Sequence, residues 1–600
     1  MADPTPISSL NEPVSFSLIF NKKPLPVDYI VYSASVTKEV NKIGRACIKI
    51  LGGDPYLNSF DEAESNDFKP GTDVEIKMGY DQSNTTVFKG IVEKNGLSIR
   101  EGFYKSKEKR LLVIDCVDKA IEMTKTYTSE IYEKKKDSEI ITALIAKAGL
   151  TKTVTATTLK HPFLPKYNSN DWDFILQRAT VNGLIVINTD NSIVVKKPAG
   201  TGSSTLTINH GDGLVDFEGK IDGGNQFNAL KFNNYDPFNI KSSNSTASEP
   251  KLTAQGNLKG KSMALNSSPT STEIIIPQPL ESGELASIAS ATLNSNRLKS
   301  VYGVVKVKGV KTGKIDSLIK LSGFGSRLDG PCYVTSVKHE VNSGNYFTTF
   351  GFGLKDDGFD NQKKGIDVSN LIPSIEGLHI GEVKKIDKDP NNEYRIQVFI
   401  PALKITGDGL WARLTHFYTS SKAGSFFIPE LKSQVVVSFI NNDPRHPVVL
   451  GGLYTKTNKP YTEITAKNEK KAFVSKEKLT IEFDDKDKVI IVKSSEKNKI
   501  TISEKGKGII IEDENGNKLE TSKSGISMTS KKQIKITTSD AITISGTKGV
   551  SIAGKSGKGL VLDGMKIDVK SKSKASIKGT AVDINGSGTA NIKGGMVNIN

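Results

Sequence analysis

The sequence predicts a multidomain, mainly β protein. It has a mixed α and β N-terminal region, a small closed β-barrel and a C-terminal stretch of short repeated strands. Three observations predict this. The chain has 600 residues, and at roughly 100–200 residues per domain that length implies three to five domains rather than one core. The composition breaks near residue 460: Pro460 is the last proline, Arg445 the last arginine, His446 the last histidine and Phe483 the last aromatic. Beyond the break, apolar residues recur in alternating pairs, a period-two strand signal.

Composition also excludes several classes. No run of about 18 apolar residues exists, so a membrane-spanning helix is ruled out. Met1-Ala2-Asp3-Pro4 lacks the basic and apolar stretches of a cleaved signal peptide. Cys47, Cys116 and Cys332 lie far apart with no CxxC, which excludes a disulfide framework and a thiolate zinc site and leaves buried free thiols. The net charge is +16, from 82 basic and 66 acidic residues, a balance compatible with an anionic partner.

Residues 1–240 read as mixed α and β, with strand-like runs at 14–20, 74–78, 87–92 and 111–116. Residues 138–148 have helical spacing and end at Gly149; 171–182 form a second amphipathic helix with Gly183 at its stop. Residues 241–280 are rich in Ser, Thr, Asn and Pro and read as a long loop. Residues 281–300 are helix-compatible, and strands resume from 301 to about 354. Between 377 and 455, alternating runs at 380–383, 394–399, 410–414 and 435–439 are separated by turn residues such as Asp389-Pro390-Asn391 and Asn442-Asp443-Pro444. Five or so short strands in that length suit a small closed barrel of OB type.

The tail is built from Ile, Val, Gly, Ser, Thr, Asn and Lys, and the absence of large aromatics implies a narrow interior. The candidate core positions are Ile526, Met528, Ile534, Ile536, Ile542, Ile544, Val550, Ile552, Leu560, Ile577, Ile584, Ile592 and Ile599. From Met528 to Ile599 the repeat advances 71 residues in nine steps, close to eight per step, with glycines between units. Such a period predicts a β-helix or solenoid. One octad cannot bury its apolar face alone. Periodicity leaves open a single-chain coil and a three-chain prism; energetics favour the prism, because interwound tails exclude water on all faces.

These segments, in this order, resemble the VgrG spike proteins of type VI secretion and the related spikes of phage tails and extracellular contractile injection systems. Residues 167–187 carry Trp172, Phe174, Arg178 and Gly183, similar to that family's N-terminal hub signature; 331–341 resemble the hub's closing strand. The barrel carries Trp411 and Arg413, then Pro429 and Glu430 at the end of 424–430, then Asp443, Pro444 and Gly451. The resemblance implies a hub with phage-hub-like barrels over 1–370, an OB-fold neck over 371–456, a linker over 457–478 and a needle over 479–600 that winds with two other copies into a triple-stranded β-helix. It implies a homotrimer seated on a hexameric inner-tube protein among baseplate components, with a PAAR-type tip protein at the needle's far end, possible secreted effectors and transient contact with a target membrane. It further implies assembly in the cytoplasm followed by ejection, no enzyme activity and no cofactor. The repeat runs to Asn600, so no fused effector is expected.

Other patterns fail on chemistry. Residues 549–556 match the Walker A letters, but the strand–loop–helix that would cradle phosphate is missing. The six histidines do not cluster. Asp484, Asp485 and Asp487 lack the EF-hand glycine and glutamate and read as a solvated turn. Trp172 and Phe174 read as helix packing. One rival is an OB-fold nucleic-acid binder using Trp411, Phe417, Tyr418, Phe426 and Phe427, but the excess positive charge lies mostly in the tail. Residues 466–600 hold 26 Lys and 16 acids. These lysines are expected to keep a rod soluble, blunt lateral strand pairing and favour anionic membranes. A second rival, a β-helical polysaccharide-active enzyme, is disfavoured because the tail has no arginine and few aligned acids.

Overall fold

The computed structural model describes residues 12–599 except 55–58, 101–108, 225, 238–239, 254, 265–269, 277–279, 281–282, 355–373, 404–408 and 555–558. The chain divides into two compact units, Met1–Lys459 and Pro460–Asn600.

In the first unit a 13-stranded sheet runs through the N-terminal region. Its alternating strands bury Leu18, Val36, Ile48, Ile76, Phe88 and Ile114 in one core. A second core gathers Ile208, Val305, Leu321, Val334, Phe350 and Phe352. Strand Gly330–Asn342 ties the two, pairing with Ile30–Glu39 near the first core and with Asn345–Phe352 near the second. All three cysteines are free thiols, and burial pushes the Cys47 thiol up to about 11.

Helices α1 (Asp137–Lys147) and α2 (Asp171–Val181) form a third core. α1 buries Ile140, Ile141, Leu144 and Ile145, the i, i+1, i+4, i+5 stripe of one face. α2 starts where the Asn170 side chain accepts from Asp173 N at 2.8 Å. It ends before Gly183, whose φ is +65° and where a Cβ would lie 3.2 Å from Ala291 of α3 (Glu284–Leu298), tighter than ordinary contact.

Two boundary readings are corrected. The 241–280 stretch is not one loop. Lys241–Thr246 pairs antiparallel with Leu230–Asp236, and Thr272–Ile276 pairs parallel with the same strand. The polar composition of 241–246 suits an edge strand, which needs no apolar partner on its outer face. The 457–478 linker contains strand Lys470–Val474.

Residues 379–453 close a five-stranded barrel, in the order His379–Lys385, Ile396–Phe399, Leu410–Leu414, Pro447–Leu453, Gln434–Phe439. The parallel pair Arg413↔Val448 closes the ring. Val383, Val398, Leu410, Ala412, Val435, Val437 and Val449 fill it, and Ile131, Phe163 and Tyr167 of the N-terminal region pack against that core. Among the described residues no helix is long and apolar enough to cross a membrane.

His339 lies buried in the sheet, its Nδ1 accepting from the Tyr346 hydroxyl at 2.9 Å. Burial lowers its pKa from the model-compound value of 6.5 to about 4. The native state therefore binds fewer protons here than the unfolded chain. The stabilisation is full above pH 6.5 and is lost as pH falls toward about 4. His339→Gln should show a shallower fall in denaturation midpoint across that window than the parent.

In the second unit, seven five-residue strands from Lys470–Val474 to Gly525–Thr529 form an antiparallel meander. This corrects the start of the octad series at Met528, and with it the place of Ile526 and Met528. Both lie on the meander's last strand, paired with Thr521 and Leu519. The reason is turn length: Ile481, Ile490, Ile500, Ile509, Leu519 and Met528 are spaced nine or ten apart, enough for a strand plus a polar hairpin. Asp484 forms one such turn, accepting from Asp487 N at 3.0 Å.

From 531 to 599 the described residues form no strand and are all exposed. Here the octad does appear. The chain bends or turns at 531–532, 539–540, 547–548, 564–565, 572–573, 580–581, 587–588 and 595, an eight-residue rhythm with 555–558 outside the described residues. Gly549 N closes one turn onto Gly546 O at 3.1 Å. Lys555 and Ser556 of the Walker-like pattern also lie outside the described residues, and 549–554 are not helical.

Candidate functional site: a buried ion cluster and an uncovered apolar face

Two features of the molecule ask for a functional explanation, one in each unit. The first is a cluster of buried charges. Asp137 opens α1, Arg178 and Asn182 lie at the end of α2, His161 is on strand Lys160–Ser169, Glu284 opens α3, and Asp443 and Arg445 occupy the turn before the barrel's last strand. Arg178 grips Asp137 with two bonds, 2.7 Å from Nε and 3.1 Å from Nη2. Asn182 donates to Asp137 at 2.8 Å, and His161 Nε2 is 3.1 Å from it. Arg445 forks onto Asp443 at 2.8–3.1 Å and donates to Glu284 at 2.9 Å. Arg178 completes the chain, 3.6 Å from Glu284.

All of these ionic side chains are 5% exposed or less. Burial alone would raise the carboxyl pKa values. The Arg178 charge and hydrogen bonds from His161 and Arg178 more than offset it at Asp137, which is held well below the usual carboxylate range. Arg445 and Arg178 do the same for Glu284. Both carboxylates also sit in the first turns of helices, where the backbone dipole favours negative charge. Burial opposes the Arg445 cation as well, yet Asp443 and Glu284 raise its pKa above the ordinary arginine value.

The cluster joins two parts of the motif pattern. Arg178 of the hub signature and Asp443 of the barrel signature meet through Glu284 and Arg445. Trp172 and Phe174 are buried in the third core. Gly183 sits against α3. Trp411 and Arg413 flank the inward Ala412 on the barrel wall, and Gly451 lies beside a register shift in the last barrel strand. Pro429 is half-buried and Glu430 exposed. Sequence reasoning missed Asp137, His161, Glu284 and Arg445 as partners, because only the fold brings positions so far apart in the chain together. Phe417, Tyr418, Phe426 and Phe427 are exposed around the hairpin Thr419–Gly424. Among the described residues no group of three His, Cys, Asp or Glu could hold a metal ion.

The second feature is a sheet face. Direct cross-strand partners share a face, and the meander's register builds two apolar rows on one side. Phe473, Ile481, Val492, Ile500, Ile511, Leu519 and Met528 are successive partners; so are Phe483, Ile490, Ile502 and Ile509. All are exposed. The other side begins on a closed polar group, Glu482 accepting from Tyr461 at 2.7 Å and from Lys470 at 2.9 Å. The predicted octad positions are uncovered too, from Ile534, Ile536 and Ile542 through Ile544, Val550, Ile552 and Leu560 to Ile577, Ile584, Ile592 and Ile599. Exposed apolar rows across seven strands mark a contact surface.

The family model described as Alg8 N-terminal domain matches residues 11–343, more than half of the chain. The model described as type VI secretion system/phage-baseplate injector OB domain matches 379–454, the closed barrel. The spike protein VgrG3 of type VI secretion in Vibrio cholerae is 40% identical over 48 residues, 8% of this chain and 5% of the Vibrio protein. The Francisella PdpA–VgrG complex in its half-lidded form superposes with a TM-score of 0.50 at 9% identity, covering 87% of this chain and 88% of that one. An E. coli component of the type VI secretion system gives 0.46 at 11% identity, covering 73% and 99%. The chain belongs to the Alg8 N-terminal domain family and, with an injector OB domain following, is built on the plan of VgrG and phage-tail spike proteins.

Proposed function

We propose that three copies of this chain form the central spike of a contractile injection machine. The observation that carries this reading is the uncovered face of the second unit. Two apolar rows over the meander, then octads that bend every eight residues without strand pairing of their own, need other chains to cover them and to complete their backbone hydrogen bonds. Three equivalent faces meeting as a prism do both, and closed cyclic symmetry stops the process at three.

In this reading the first unit is the base. Its hub seats on a hexameric inner tube within a baseplate, and the buried ion cluster fixes the barrel neck to it. The needle meets a PAAR-type tip protein, carries effectors and crosses the target envelope. The chain supplies stiffness and shape; the driving force is a sheath's. The Francisella VgrG was solved with PdpA, which supports a partner-bearing spike. The spike acts without enzyme chemistry, is assembled in the cytoplasm and is then ejected.

Solution mass tests the assembly. Light scattering on the full chain should give about three times 65.0 kDa. A value near 65.0 kDa at micromolar concentration overturns the reading.

A further inference from the structure

The tail's positive charge is not spread evenly. Residues 566–578 hold five lysines, Lys566, Lys570, Lys572, Lys574 and Lys578, against Asp568 alone, a net +4 per chain. The 536–554 stretch has only Asp540 and Lys548, and 579–599 only Asp583 and Lys593, both neutral, while 555–565 between them adds Lys555, Lys558 and Asp563, a net +1 against the band's +4. All six charged residues of the band fall on even positions, whereas Ile567, Val569 and Ile577 fall on odd ones. On either side of the bend at 572–573, that alternation puts charge on one side of extended chain and apolar groups on the other. Lys566 and Lys570 are 77% and 86% exposed, and Asp568 offsets one lysine through its 2.8 Å bond to Lys566.

We propose that this band is a docking collar for the anionic phosphate headgroups of a lipid membrane. The inference rests on the three-copy spike, in which apolar residues turn inward and each copy contributes five lysines to one ring. Solubility alone does not call for such a band, since dispersed charge of either sign serves it and acidic residues serve it better. Clusters of four to eight basic residues are instead the size that anionic membranes hold. Lipid is favoured over nucleic acid by what the band lacks. No aromatic follows Phe483 and no arginine follows Arg445, so no base can stack and no phosphate can be gripped by a fork. Lysine point charges on an exposed ring suit a diffuse anionic surface. The neutral octads that follow, with Ile584 and Ile592 on their apolar positions, carry no comparable charge to hold them at the headgroups.

The test uses the full chain with phosphatidylcholine vesicles containing about 30% phosphatidylglycerol, by flotation at about 0.05 M and about 0.3 M salt. The unmodified protein should float with anionic vesicles at low salt, weakly at high salt, and not with pure phosphatidylcholine. Lys570→Gln/Lys572→Gln/Lys574→Gln/Lys578→Gln should lose at least about tenfold in apparent affinity, and the same four changed to Arg should restore it. Lys531→Gln/Lys532→Gln/Lys535→Gln/Lys548→Gln, which removes the same charge elsewhere in the tail, should stay within about twofold. Equal losses in the two Gln variants, or no binding by the parent at low salt, overturn the collar. So does tighter binding of a single-stranded oligonucleotide than of anionic vesicles. Mass is read on every variant: a trimer that ignores vesicles overturns the collar alone, whereas a monomeric parent overturns the spike and the collar with it.

Discussion

Ile544→Asp leaves the protein monomeric. In the single chain Ile544 is 67% exposed, so an aspartate there would meet water and cost the isolated tail almost nothing. In a three-copy prism the same position faces inward, and the substitution gathers three carboxylates in a narrow apolar interior. Each uncompensated buried charge costs several kcal/mol, and the mutual repulsion adds to it. The neighbouring octads lose their register as well, because a period-two strand cannot turn one residue outward without turning the rest. Thr543→Asp is the control: one residue away, it points to the opposite side and should assemble normally. Light scattering separates the outcomes, and an Ile544→Asp trimer as stable as the parent would remove the inward assignment of the octads.

The parts of this architecture legible in the sequence are those written in local periodicity. The barrel strands alternate between hydrophobic and polar residues, and the turns between them carry Asp, Asn, Gly and Pro. The eight-residue rhythm of the tail recurs as bends at the same spacing. The meander's strands carry the same alternating pairs as the octads, and only the longer spacing, nine or ten residues, marks a strand with a hairpin of its own. The 241–246 strand was missed for a related reason, since an exposed edge needs no apolar signal. The ion cluster could not be seen at all. Arg178 and Asp443 stood out only as members of motifs, and Glu284 looked like any acid at a helix start. Their meaning depends on three helices and a barrel turn converging, a property of the fold and not of any window of sequence.

That convergence makes Arg445 the residue whose loss should cost the first unit most. Arg445→Met keeps much of the side-chain volume but removes the cation between Asp443 and Glu284, both with side chains 0% exposed. Two carboxylates are then left buried, with Arg178 reaching only Glu284, at 3.6 Å. Removing one partner of a buried ion pair costs about 3–5 kcal/mol, and the denaturation midpoint at pH 7.5 should fall accordingly. Arg445→Lys should fall between, keeping the charge but losing the fork. The pH dependence distinguishes this from a simple packing defect. In the parent, Asp137 and Glu284 have folded-state pKa values below their unfolded ones. Their stabilisation is therefore present above the unfolded carboxylate range and is lost as pH falls through the folded values. In Arg445→Met the burial that raises the Glu284 carboxyl loses its largest opposing charge, so acid neutralises Glu284 and relieves the defect. The gap between variant and parent should narrow on going from pH 7.5 to pH 4.5. A gap that stays constant would assign the loss to packing, and a variant within about 1 kcal/mol of the parent would show that the cluster does not hold the barrel to the hub.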